Sequence, residues 1–333
     1  MLRISTLSVL LAVSFLAAAP PPDLPRDTLP AEIDLDRIPG GFSARPVAPA
    51  DNQLSPAKVR LGRRLFFDPI LSRDRSVACA SCHVPDHGFA GLAAAAVGIR
   101  GQKGHRNAPT LLNVGYNSVF FWDGRAASLE EQALLPISDP REMDSTVDET
   151  IRRLRADPSY SEQFRAAFAG DITAQNLARA LASFERTLLA GDNAVDRFRN
   201  GEVAALSADA RQGLWLFESR GGCWRCHAEN NFTDGRFHNT GVSWGTEPPD
   251  LGRYAVTRQD RDRGAFKTPT LRNVARTGPY MHDGSLGTLE DVVRYYSRGG
   301  NPNPHLDSAL KPLNLSDADV RHLVAFLESL TGK

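Results

Sequence analysis

Apolar residues recur along most of the chain at the spacing of one face of an α-helix. Two segments show this best, with Leu177, Leu181, Phe184 and Leu188 in the first and Leu323, Phe326, Leu327 and Leu330 in the second. Ser316 precedes the second segment and is expected to cap its helix, because a serine oxygen accepts hydrogen bonds from the first backbone amides. Alternating patterns typical of strands are scarce. The spacing therefore predicts a mainly α fold.

The first 19 residues have the pattern of an export signal. Arg3 precedes an almost wholly apolar run from Ile4 to Leu16, and three alanines then provide a small-residue cleavage site. The run is shorter than the roughly 20 residues that span a bilayer, which disfavours the alternative of an uncleaved membrane anchor. We therefore expect residues 1–19 to be a signal peptide, the mature chain to have no membrane span, and the location to be the periplasm. The proline-rich residues 20–50 are expected to form an extended arm.

Length and charge limit the possible functions. The chain has 333 residues, which suggests two domains. Lys plus Arg and Asp plus Glu are both 39, so the net charge is zero and no basic field favours binding to nucleic acid.

All four cysteines fall in two C-x-x-C-H motifs, which are typical of covalent haem c attachment. The first contains Cys79, Cys82 and His83, and the second contains Cys223, Cys226 and His227. Two thiols one helical turn apart can form thioethers with the two vinyl groups of one porphyrin, and the adjacent histidine can then ligate the iron. The sequence predicts two covalently bound haem c groups. The alternative, a zinc site formed by all four cysteines, would leave both histidines unexplained.

An internal repeat surrounds the two motifs. Residues 107–130 align without gaps to residues 267–290 at a constant offset of 160, and nine of the 24 positions are identical. Duplication is the simplest explanation. We therefore expect two cytochrome c-like helical domains related by internal duplication, each with one covalent haem c. The expected boundaries are 51–195 for the N-terminal domain and 196–333 for the C-terminal domain, with a linker near residues 191–207.

Several motifs together resemble those of the bacterial dihaem cytochrome c peroxidase and MauG family. Besides both haem motifs they are NAPTLLN, FFWDGRAASLEEQA followed by Pro136 and Glu142-Met143, SFERTLLAGD, and TPTLRNVARTGPYMHDGSLGTLEDVV. The resemblance covers residues 50–330. It implies a peroxide-reacting haem in the N-terminal domain, an electron-transfer haem in the C-terminal domain and one calcium ion between them.

The resemblance implies reduction of hydrogen peroxide to water, with electrons from a small periplasmic redox protein such as a cytochrome c or a cupredoxin. Two alternatives stay open: oxidation of a protein side chain, as in MauG, and a non-catalytic dihaem electron carrier. A homodimer is also left open.

The resemblance also assigns roles to single residues. His83 and His227 match the proximal iron ligands, and Glu130 matches a distal acid that moves a proton between the two peroxide oxygens. The alternative for Glu130 is a helix N-terminal acid that stabilises the dipole, the role expected for its repeat mate Glu290. Asn107, with the carbonyl groups of Thr277 and Pro279, matches the calcium ligands.

Some positions depart from the family pattern. Ile99 stands where a loop histidine caps the N-terminal haem in many members, which predicts an open haem, with His105 as a substitute cap or as a polar residue at the haem edge. Phe120 stands where a distal glutamine is expected ten residues before Glu130. A bridging tryptophan cannot be placed, because no tryptophan precedes Trp122 in this loop.

The sixth ligand of the C-terminal haem has two candidates. Tyr296 aligns with the position where peroxidases have Met and MauG has Tyr, and Met281 is the competitor. A thioether ligand raises the haem potential, whereas an anionic tyrosinate lowers it. Packing on an amphipathic helix is the structural alternative for Tyr296.

Overall fold

The computed structural model describes residues 24–332, so the predicted signal peptide lies outside the described residues. The described chain is mainly helical, as expected. The α-helices are α1 Pro56–Phe67, α2 Cys79–Cys82, α3 Leu129–Ser138, α4 Val147–Ala156, α5 Pro158–Phe168, α6 Ala174–Glu185, α7 Ala194–Arg199, α8 Ala208–Glu218, α9 Tyr254–Thr257, α10 Leu289–Ser297 and α11 Asp317–Ser329. Strands β1 (Phe237–His238) and β2 (Phe266–Lys267) pair antiparallel. Among residues 24–332, no helix is long and apolar enough to cross a membrane.

Short polar side chains determine where several helices begin. Ser316 accepts a hydrogen bond from the amide of Asp319, which confirms it as the cap of α11. The pattern of Leu177 and Phe184 is confirmed in α6, but α6 ends at Glu185, and Leu188 is buried beyond it.

Buried apolar side chains form two hydrophobic clusters. The first extends from Val59 to Leu188 and is built around α1 packed on α6, while the second extends from Val195 to Leu330 and is built around α8 packed on α11. The segment expected to be a linker contains α7, and Asp196 on this helix forms a buried ion pair with Arg272 at 2.7 and 2.9 Å.

The two repeat segments contact each other through matching hydrogen bonds. The amide of Asn107 donates to the carbonyl oxygen of His282 at 2.7 Å, and the amide of Lys267 donates to the carbonyl oxygen of Trp122 at 2.8 Å. Each of these four residues is 160 positions from its counterpart in the other bond. The repeats are therefore related by an approximate two-fold axis at their contact.

Candidate functional site

One cavity of about 1070 Å³ lies between the two halves. Both C-x-x-C-H motifs open onto it, because Cys82 and His83 line one part and Cys223, Cys226 and His227 line another. The volume is at the upper end of that of small-molecule sites, which is roughly 300–1,000 Å³. A shared cavity of this size fits large, mainly apolar cofactors.

Backbone carbonyl groups fix the orientation of both predicted iron ligands. Nδ1 of His83 lies 3.1 Å from the carbonyl oxygen of Pro109 and 3.2 Å from that of Phe89, and Nδ1 of His227 lies 3.0 Å from that of Phe232. Because a carbonyl only accepts, Nδ1 carries the proton and Nε2 keeps its lone pair for a metal. Burial lowers the pKa of both histidines, which favours the neutral ring that ligates iron.

The cysteines also fit haem attachment better than zinc. None of the four forms a disulfide in the described chain. Burial raises the pKa of Cys82 and of Cys223, each to about 11, so without a bound metal these thiols are protonated. Within residues 24–332 the one cluster with metal-binding geometry combines Cys226 with Asp234 and His238, and thus contains a single cysteine. Four-cysteine zinc coordination therefore has no support.

Glu130, the predicted catalytic acid, does not line the cavity. Its two carboxylate oxygens accept hydrogen bonds from Arg186 at 2.7 and 2.8 Å, and Asn52 donates a third at 2.7 Å. Burial alone would raise the pKa of Glu130, but these bonds hold it below its usual value. This geometry argues against the role predicted for Glu130, because a paired carboxylate outside the cavity cannot exchange protons with a ligand in it.

Glu130 lies in the first turn of α3, as the helix-dipole alternative requires, while neighbouring residues form the capping hydrogen bonds. At the start of α3, Ser128 accepts from the amide of Glu131, whose carboxylate accepts from the amide of Ala127. At the start of α10 the capping box is formed by Thr288 and Asp291, and Glu290 lies in the same first turn, where its charge stabilises the helix dipole as expected. Glu290 also pairs with Arg294 at 2.8 Å.

Glu142 is the glutamate that lines the cavity. It follows the end of α3, and burial, reinforced by the negative charge of Asp139, raises the pKa of its carboxyl group despite Arg125 and Arg141. Gln132 lies ten residues earlier, on α3, and lines the same cavity. The glutamine–glutamate spacing expected by resemblance is therefore present, shifted from Phe120 and Glu130 to Gln132 and Glu142.

The loop near Glu142 clarifies the two candidate capping positions. Ile99 is fully buried, and its amide donates to the carbonyl oxygen of Glu142 at 2.8 Å. His105 lines the cavity, and its Nε2 contacts the guanidinium of Arg141. Because the guanidinium can only donate, it occupies the Nε2 lone pair of His105. This contact favours the interpretation of His105 as a polar residue at the cavity edge.

Trp122 lies in the cavity wall between the two halves. Its Nε1 donates to the carbonyl oxygen of Asn107 at 2.9 Å, and its ring centroid lies 6.5 Å from that of His282. Trp122 is therefore a candidate for the bridging tryptophan, which could not be placed by counting back from Glu130. Counted against Glu142, Trp122 precedes Gln132 by ten residues.

The remaining predicted ligands also reach the cavity. Tyr296 and Met281 both line it together with His227, so the structure leaves both as candidates. Burial raises the pKa of Tyr296, which keeps its hydroxyl protonated unless a cation binds it. Asn107, Thr277 and Pro279 likewise line the cavity, and the side-chain amide of Asn107 donates to the carbonyl oxygen of Ala93 at 2.9 Å, which directs Oδ1 the opposite way.

Comparison with known proteins is consistent across sequence and structure. Residues 56–204 match the family model for di-haem cytochrome c peroxidase. Methylamine utilization protein MauG of Methylorubrum extorquens is 45% identical over 289 residues, which cover 86% of this chain and 81% of that protein. Cytochrome c551 peroxidase of Nitrosomonas europaea is 36% identical over 305 residues, which cover 87% of this chain and 87% of that protein. A MauG-like protein associated with microbial copper homeostasis has a similar crystal structure, with a TM-score of 0.81, 32% identity, and coverage of 89% of this chain and 95% of that one.

Proposed function

The chain belongs to the family of di-haem cytochrome c peroxidases and MauG proteins, oxidoreductases that act on peroxide, and we propose that it reduces hydrogen peroxide to water. The observation that carries this proposal is Glu142, a cavity-lining carboxyl group with a raised pKa in the half that contains His83. A pure electron carrier has no need for a half-buried acid in the wall of a cofactor site.

Two haem c groups supply the redox chemistry when bound, one attached through Cys79 and Cys82 and the other through Cys223 and Cys226. His83 and His227 would ligate the irons through Nε2, the nitrogen that their backbone hydrogen bonds leave free. Tyr296 or Met281 would complete the ligation on the C-terminal side.

The protein's own chemical contribution is the movement of a proton. Glu142 takes a proton from one oxygen of hydrogen peroxide and returns it to the other, so that the O–O bond breaks and the second oxygen departs as water. Two electrons from the donor protein and two protons from solvent would then convert the remaining oxygen into a second water. A buried carboxyl group suits both halves of this task, because a raised pKa brings its protonated and ionised forms closer in free energy at neutral pH. The amide of Gln132, on the same cavity wall, orients the peroxide by hydrogen bonding.

Electrons would enter through the C-terminal haem from a small periplasmic donor, a cytochrome c or a cupredoxin, and cross to the N-terminal haem past Trp122. MauG-like oxidation of a protein side chain is the second candidate. It is supported by the 45% identity to a MauG protein and by the position of Tyr296, the candidate sixth ligand that MauG shares, in the cavity lining with His227.

We assign one calcium ion to Asn107 and the carbonyl oxygens of Thr277 and Pro279. All three residues line the cavity, and oxygen atoms from loops are the ligands that calcium prefers. Metal analysis after dialysis should find one calcium ion per chain, and Asn107→Ala should lose it.

The division into two duplicated domains is supported by the two hydrophobic clusters and by the exchanged hydrogen bonds of the repeat segments. We retain 51–195 and 196–333 as the proposed domain boundaries.

The proposal is tested on protein exported to the periplasm and purified as isolated. We expect two covalent haems, a high-spin ferric signal from an open N-terminal haem, a spectral response to peroxide before any reduction, and peroxide turnover with reduced cytochrome c or cupredoxin. Two low-spin haems that ignore peroxide with every reductant would establish the electron carrier instead. Oxidation of an added protein without turnover of the small donors would favour the MauG-like activity.

A further inference from the structure

Lys267 is a cation in the wall of the haem cavity that the mechanism above does not use. It lies on β2, and its amide is held by the carbonyl oxygen of Trp122 at 2.8 Å. Its side chain is half-buried and faces the cavity. Two residues later, Pro269 lines the same cavity, as does His227. Lys267 thus lies between the two halves, and it lines the same cavity as His227, the predicted ligand of the C-terminal iron.

Lys267 also has no acidic partner within the described chain. Burial is the one cause that lowers its pKa, to about 8, and no carboxylate opposes this shift. The other buried cation of this wall is fully paired, because Arg106 binds Asp123 and Asp250 at 2.7 Å each. A cofactor that filled the cavity would bury the ammonium group of Lys267, and burying an ammonium group without a counter-ion is costly. An anion supplied by whatever fills the cavity would remove this cost.

The internal repeat relates Lys267 to a residue of the N-terminal half. Lys267 is the counterpart of Asn107 at the offset of 160, and Asn107 is the proposed calcium ligand in the N-terminal half. One repeat thus holds a candidate ligand for a cation, and the other holds a cation of its own. In both halves the side chain projects from a backbone fixed by the same exchanged hydrogen bonds.

We infer that the Lys267 ammonium binds a propionate carboxylate of a haem in the cavity and is a positioning residue for that cofactor. Haem is a largely apolar ring with two carboxylates, so an unpaired buried cation is the group that selects and orients its charged edge. The inference rests on the proposed content of two haems.

The experiment compares Lys267→Met and Lys267→Arg with Lys311→Met in the full-length, haem-loaded protein. Lys311 lines the same cavity but is exposed, so it is a matched control for the loss of a positive charge. Haem content is measured from the reduced pyridine spectrum, and the midpoint potentials of both haems are measured by redox titration.

Loss of a nearby cation disfavours the reduced state of a haem. In Lys267→Met we expect the equilibrium constant for reduction of at least one haem to fall about tenfold, about 59 mV for a one-electron couple. Lys267→Arg and Lys311→Met should match the wild type.

The haem count separates the possible failures. Two haems in Lys267→Met with both potentials unchanged would overturn the inference and leave the proposed function intact. If Lys267→Met does not retain haem, recovery of both haems and their potentials in Lys267→Arg would support the inference, because arginine restores only the charge. Loss of haem from Lys267→Arg as well would count against it. Absence of haem from the wild type would overturn the proposed function and the inference together.

Discussion

Replacing Glu142 by glutamine removes a proton-transfer group and little else. Glutamine has nearly the same shape as glutamate, and Glu142 forms no ion pair in the described chain that the change would break. Because burial already disfavours the charged carboxylate, a neutral amide at this position should leave the free energy of unfolding unchanged or slightly higher. A loss of activity in Glu142→Gln would therefore report on chemistry rather than on folding.

The expected loss follows from the role of the group. General acid–base catalysis typically contributes roughly 10²- to 10⁴-fold to a rate, which corresponds to about 2.7–5.4 kcal/mol of activation free energy. The carboxyl group of Glu142 is the one in the N-terminal part of the cavity with a raised pKa, so we expect the loss to approach the upper half of this range. Both haem spectra and the haem content should stay unchanged.

Glu130→Gln is the matched control, because it makes the same chemical change at the opposite end of α3. Glu130 pairs with Arg186, whose side chain is only 5% exposed, so the change should lower the free energy of unfolding by about 1–3 kcal/mol. Peroxide turnover per folded molecule should stay near that of the wild type. The assay is steady-state oxidation of a reduced donor by peroxide, together with urea unfolding of each variant.

The opposite pattern would refute the assignment. In that pattern Glu130→Gln loses turnover by about 10²-fold or more with its stability intact, while Glu142→Gln keeps full activity. The acid would then be Glu130, and the assignment of this role to Glu142 would be wrong. Full activity in both variants would exclude proton transfer by either glutamate.

Three further changes test other parts of the site. Replacing Cys223 and Cys226 together by alanine should halve the covalent haem content seen by mass spectrometry; loss of both haems would contradict independent attachment. Tyr296→Phe should alter the spectrum and potential of the C-terminal haem while Met281→Leu does not, and the reverse result would identify Met281 as the sixth ligand. Burial raises the pKa of Glu185 to about 8 from 4.5. The unfolded chain therefore releases this proton first, and stability should fall as the pH rises between these values. Glu185→Gln should flatten this decrease in urea titrations, and an unchanged slope would show that Glu185 does not cause it.

Local motifs could be predicted from the sequence because their meaning depends on neighbours a few residues away. The haem motifs, with His83 and His227, fall in this class, as does Ser316 at the start of α11. The mainly helical fold followed from apolar spacing, although Leu188 shows that the spacing does not reveal where a helix ends.

The choice between two glutamates could not be made from the sequence. Glu130 is neutralised by Arg186, which comes from the end of α6, 56 residues along the chain. Glu142 faces the cavity because α3 ends at Ser138 and the chain then turns back. Both facts depend on packing between distant segments. One signal was available, since Gln132 and Glu142 have the expected spacing of ten residues.

The exchanged hydrogen bonds between Asn107, His282, Lys267 and Trp122 bear on the ancestry of the molecule. Such reciprocal bonds are what two identical chains form across a two-fold axis, where residue i of each chain contacts residue j of the other. If the halves descend from one gene, a single-haem ancestor that paired with its own copy already contained this contact. Fusion of the copies would then have freed each side to diverge, towards the proposed peroxide reaction in one half and the proposed electron transfer in the other. A half expressed alone would lack part of its cavity wall, and two separately expressed halves should regain it by association.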